Sequence, residues 1–106
     1  MTNFVLLYMG GTMPEDEAMI AEVMAAWGAW YGKMGAAVVD GGNPFSGSKL
    51  VTNDGISDGP TDHTGCTGYT IISADSMDDA VAKVKDHPHL NDGGQISVYE
   101  TFEMSM

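Results

Sequence analysis

The chain has 106 residues, room for one domain, and its 43% apolar content suits a globular protein rather than a disordered one. Fifteen acidic residues face four lysines and no arginine, for a formal charge of −11. That balance disfavours nucleic acid and anionic membranes, both of which need a cationic surface, and no apolar run approaches the roughly 20 residues of a membrane span.

Residues 3–9, NFVLLYM, form an apolar run closed by Gly10-Gly11. The run is too short for a helix and reads as a strand buried on both faces. The opening lacks a basic flank, so no secretory leader is expected. Residues 14–34 read as a helix: Pro14 suits a first turn, Glu15, Asp16 and Glu17 complement the dipole, and Gly35 ends it. Ile20, Val23, Met24, Trp27, Tyr31 and Met34 fall at spacings of three and four and form one apolar stripe.

AAVVDGGNP (36–44) reads as a short strand, SKLVTNDG (48–55) as the next, and CTGYTIISA (66–74) as a β-branched and aromatic third. Ser76 starts a second helix with an acid three residues on, and Pro88 stops it. QISVYETFEM (95–104) closes as a strand with Ile96, Val98, Phe102 and Met104 on one face. These five strands and two helices are read as the β-α-β-β-α-β unit, an α+β, ferredoxin-like subunit with a four-stranded antiparallel sheet and both helices on one face. The uncovered face, expected to carry Tyr8, Tyr69 and Tyr99 with apolar neighbours, predicts a homodimer laid sheet to sheet, with ligand clefts between the two sheets.

FVLLYMGG, PEDE, MGAAVVDGG, Asp58-Gly59-Pro60 and GYTIISADSMDDAVAKVKDHP occur in an order that resembles the YCII-related domain family, in particular its DGPF-like branch. The resemblance covers nearly the whole chain. It implies a dimeric α+β barrel and a cleft for a small organic molecule, with lyase-like or proton-transfer work on small organic acids and no cofactor. It implies that Asp40 faces the cleft as a base. Trp27 stands where the family commonly has a helix histidine, Thr61 where it has a phenylalanine, and the last strand lacks the usual basic residue and proline.

The residues allow two readings at each position. Asp40 is a proton acceptor or a turn cap before Gly41-Gly42, and Asp58 is a carboxylate at the cleft mouth or the cap of a rigid turn. His63 is an exposed loop residue, or replaces the missing helix histidine as acid and base. Trp27, Tyr31, Tyr69 and Tyr99 are candidate substrate-binding residues, with Trp30 a possible further wall; the bland alternative for the tryptophans and methionines is core. His87 and His89 flank Pro88 and, with Asp86 or Asp92, have metal-ligand spacing, although a charged His87 at the helix end is the simpler expectation. Cys66 has no basic neighbour in sequence to activate it, and as the sole cysteine it forms no internal disulfide, in keeping with a cytoplasmic protein. The alternatives to a lyase-like enzyme are a non-catalytic binding or regulatory module and a cofactor-free monooxygenase whose pocket Trp27, Trp30 and Tyr31 would line.

Overall fold

A computed structural model describes residues 2–10, 16–58 and 65–104. Six strands and two helices follow in the order β1 (Thr2–Gly10), α1 (Glu17–Met34), β2 (Val38–Asp40), β3 (Lys49–Thr52), β4 (Gly55–Asp58), β5 (Cys66–Ala74), α2 (Met77–Val84) and β6 (Gly94–Glu100). Strands β2, β5, β1 and β6 lie side by side in that order, every pair antiparallel. The subunit is therefore ferredoxin-like and α+β.

Alternation along β1 sets the layers. Phe4, Leu6 and Tyr8 point toward the helices and are buried, and their partners Ile72 and Thr70 on β5 are buried with them. Trp30 of α1, and Ala80 and Val84 of α2, close this core from the other side. Trp30 is the one buried residue of α1, and its indole N–H donates to the Lys83 carbonyl at 3.2 Å, which joins the two helices. The stripe read from the sequence is thus rotated: Met24 is exposed, whereas Trp27, Tyr31 and Met34 pack beside Trp30. The other face of the sheet carries Val5, Leu7 and Ile71, half-buried, and Tyr99, exposed.

Local chemistry explains the element ends. Asp16 accepts from the Ala18 amide and caps α1, and Ser76 accepts from the Asp79 amide and caps α2. Gly35, at φ 54°, sends its N–H to the Tyr31 carbonyl and ends α1. Residues 48–55 depart from expectation. They form no part of the main sheet; β3 pairs with β4 as a separate hairpin across Asn53-Asp54-Gly55, with every residue exposed. The last strand ends at Glu100, and Phe102 and Met104 lie exposed beyond it.

Candidate functional site

One end of the core remains open. Between α1, the segment after β2, the start of β5 and the turn before β6 lies a cleft of about 610 Å³. Val23, Trp27 and Tyr31 line it from α1, Gly41, Gly42 and Pro44 from the segment after β2, Gly68 and Tyr69 from β5, and Tyr8 and His89 from the interior. The lining is mainly apolar with a few converging polar atoms, the usual character of a small-molecule site. It belongs to a single chain and lies on the helical side of the sheet, not between two sheets as the sequence reading has it.

The polar atoms beneath the cleft form a directed chain. Residues Pro88–Asp92 make a 3₁₀ turn, and the His87 ring caps it: Nδ1 accepts the His89 amide at 3.0 Å. A neutral His87 therefore carries its proton on Nε2, which donates to the Tyr8 hydroxyl at 3.1 Å. Tyr8 in turn donates to Thr70 Oγ1 at 2.7 Å, and Thr70 donates to the Gly41 carbonyl at 3.1 Å. Tyr31 reaches both Gly41 O and Thr70 Oγ1 at 3.1 Å. A backbone N–H begins the chain and a backbone carbonyl ends it, which fixes the direction of every proton between them.

Burial sets the charge states. His87 is 1% exposed and packs edge-on to Trp27 at 4.5 Å between ring centroids and against Trp30 at 4.3 Å. This desolvation, helped by neighbouring His89 and opposed by Asp86, lowers its pKa to about 4. The charged His87 expected at the helix end is thus replaced by a neutral, buried one: the α1 tryptophans exclude the water an imidazolium needs. Burial also pushes the Tyr8 phenol well above its ordinary value, so it remains a hydroxyl.

His89 completes the cleft. Its Nε2 donates to the Met9 carbonyl at 3.0 Å, which fixes the tautomer, and no described residue bonds its Nδ1. Its ring lies over Gly94, where a Cβ would come within 2.3 Å of Nε2. On the opposite wall Gly42, at φ 72°, passes so close to β5 that a Cβ would lie 1.7 Å from the Tyr69 carbonyl. That tight passage holds Gly41 O against Tyr31 and Thr70.

Of the residues singled out in the sequence, Trp27 and Tyr31 come together on the lining; Tyr69 borders it, but its pairing with Leu7 sets its side chain on the open face of the sheet. Tyr99 lies 56% exposed on the opposite face of the sheet, and its backbone pairs with Val5 there. Asp40 is exposed, and its Oδ1 accepts the Gly42 amide at 2.8 Å, so it caps the turn beside the cleft. Asp58 is an exposed partner of Lys49 at the end of the β3–β4 hairpin. His63 lies outside the described residues. Trp30 belongs to the core and does not line the cleft. Cys66 is exposed. His87 and His89 contact each other through ring and turn, and no group of three or more potential metal ligands occurs among the described residues. Sequence reasoning missed His89 as a lining residue. Its signal was the Gly93-Gly94 pair that follows the turn, since only a glycine leaves room for the ring.

Among solved structures the chain is similar to 5-chloro-2-hydroxyhydroquinone dehydrochlorinase (TftG) from Burkholderia phenoliruptrix AC1100, a structure in complex with 2,5-dihydroxybenzoquinone. The TM-score is 0.57 and the identity 20%, over 97% of this chain and 95% of that one. At that identity the likeness is one of fold alone. No protein-family model matches the chain, and no curated protein does. No helix among the described residues is long and apolar enough to cross a membrane.

Proposed function

We propose that the chain binds a small planar organic molecule in the cleft beside Trp27 and moves a proton on it through His89. The observation that carries this reading is the juxtaposition of an aromatic wall with an imidazole whose Nε2 is tied to Met9 O. That tie fixes the ring proton on Nε2 and leaves the Nδ1 lone pair without a partner among the described residues. The step is a lyase-like elimination or a tautomerisation: Nδ1 takes a proton from the bound molecule, and the freed electron pair either expels a leaving group or shifts along the conjugated system. After an elimination the imidazolium returns its proton to water; after a shift of the electron pair it delivers that proton to the atom of the conjugated system that gained the pair. His89 takes the role assigned to Asp40 and His63 in the sequence. The solved neighbour is named as a dehydrochlorinase and holds a dihydroxybenzoquinone, which fits a planar ligand and this class of reaction.

We also propose that a second copy covers the open sheet face through Val5, Leu7, Ile71 and Tyr99, since a half-buried apolar layer is stabilised by a partner. Sedimentation at micromolar concentration tests this: a particle of twice 11.2 kDa is expected, and a stable monomer would refute it.

The test of the main reading is a screen of halogenated and hydroxylated aromatics for binding and for halide release. His89→Asn is expected to bind an active compound within about threefold of wild type while turnover falls by about 100-fold or more. Unchanged turnover in His89→Asn would refute the assignment.

A further inference from the structure

The proton bookkeeping of the cleft, taken with its charges, narrows the ligand class for the site proposed above, on which this inference rests. We infer that the cleft selects uncharged aromatic rings that donate hydrogen bonds, and that it rejects carboxylates and phosphates of the same size.

The first observation is that, among the described residues, the lining contains no lysine, arginine, aspartate or glutamate. Three of the four lysines are engaged elsewhere: Lys33 with Asp86, Lys49 with Asp58, and Lys83 with Asp79 at 3.0 Å. Lys85 is exposed just beyond α2. The chain has no arginine, and residues 11–15 and 59–64 contain no lysine, so no segment of the chain adds a permanent cation to the cleft. An anion entering it leaves water without a counter-charge and moves against the field of a chain of formal charge −11.

The second observation is independent. The Tyr8 hydroxyl donates inward to Thr70, the Thr67 hydroxyl donates to the Tyr8 carbonyl at 3.2 Å, and the His89 Nε2–H donates to Met9 O. Tyr31 has two acceptors at 3.1 Å, Gly41 O and the Thr70 hydroxyl, the second of which already gives its own proton to Gly41 O. Its proton therefore points inward and its remaining lone pair toward the ligand. Tyr31 Oη and His89 Nδ1 thus present acceptors. The other side-chain N–H groups of the described lining, those of Trp27 and Asn43, are neutral. A phenolic O–H or a ring N–H satisfies Tyr31 and His89, whereas a carboxylate offers only further acceptors. The small organic acids implied by the family resemblance are therefore poor ligands for this chain.

Three compounds of matched shape separate the arms: methyl 4-hydroxybenzoate, 4-hydroxybenzoate and methyl 4-methoxybenzoate, titrated calorimetrically into the full chain at pH 7. The neutral phenol is expected to bind, and the carboxylate and the methyl ether at least about tenfold more weakly. Met24→Arg, which places a guanidinium at an exposed position on the lining, is expected to raise the affinity for 4-hydroxybenzoate at least about fivefold. Equal binding of the carboxylate, or no gain in Met24→Arg, overturns the exclusion of anions. Equal binding of the methyl ether overturns the donor requirement. Each of those results leaves the cleft as the ligand site, whereas failure of all three compounds removes the site and this inference with it.

Discussion

The imidazole of His89 rests on Gly94, at a distance that leaves no room for a methyl group: a Cβ there would lie 2.3 Å from Nε2 and 2.5 Å from Cδ2. Backbone conformation does not demand glycine at this position, because only the preceding Gly93, at φ 79°, has a positive φ in that turn. Gly94 is small for the sake of the ring. Gly94→Ala is therefore expected to displace His89 from the Met9 carbonyl and from the cleft, at a stability cost of about 1–3 kcal/mol. The check is ligand affinity and turnover measured beside a urea midpoint. Turnover lost in a protein that still unfolds cooperatively supports the account.

Gly42 is constrained twice, by a φ of 72° and by the Tyr69 carbonyl 1.7 Å from any Cβ. Gly42→Ala is expected to cost more than Gly94→Ala, on the order of 2–4 kcal/mol, because the neighbour is backbone and cannot rotate away. It also moves Gly41 O away from Tyr31 and Thr70. Thermal unfolding of the two variants side by side checks the order.

Tyr8→Phe keeps the ring that touches Trp27 but removes the hydroxyl between His87 and Thr70. The buried Nε2–H of His87 then has no acceptor, which is expected to cost about 1–3 kcal/mol. Thr70 Oγ1 at the same time becomes an acceptor for Tyr31 alone. Urea unfolding of Tyr8→Phe checks the loss; a variant as stable as wild type would mean that the chain of hydroxyls does not hold the core.

His87 makes stability depend on pH in a definite direction. Its folded pKa, about 4, lies below the unfolded value of 6.5, so the unfolded state binds the proton first. Stability is complete above pH 6.5 and falls as the pH drops toward 4, by roughly 2–3 kcal/mol from this residue. Protonation also places a second N–H at Nδ1, against the His89 amide. Urea midpoints of wild type and His87→Gln at pH 7 and pH 4.5 check this: the variant is expected to lose less on acidification.

The sheet and helices were legible because their signals are local. The apolar run NFVLLYM, the β-branched and aromatic CTGYTIISA, the Ser76 cap and Gly35 each act within a few residues. Partner choice was not legible. KLVT looks like a sheet strand, yet it pairs with GISD in a hairpin of its own, because a turn at Asn53-Asp54-Gly55 needs no distant contact. The site was half legible. Trp27 and Tyr31 were visible as aromatics, but His87 and His89 were read by their polarity. What buries His87 is Trp27 and Trp30, about 60 residues earlier, and no local pattern reports that. Asp40 was overweighted because a turn cap and a catalytic carboxylate look alike before two glycines.

Backbone and indole amide shifts, followed by NMR as methyl 4-hydroxybenzoate is added, test the central claim most directly. The account predicts saturable shifts of the Trp27 indole N–H, of Gly41, Gly42 and Gly68, and of His89, with Val5, Leu7, Ile71 and Tyr99 unmoved. Shifts confined to those last four residues would put the ligand on the open face of the sheet and contradict the site.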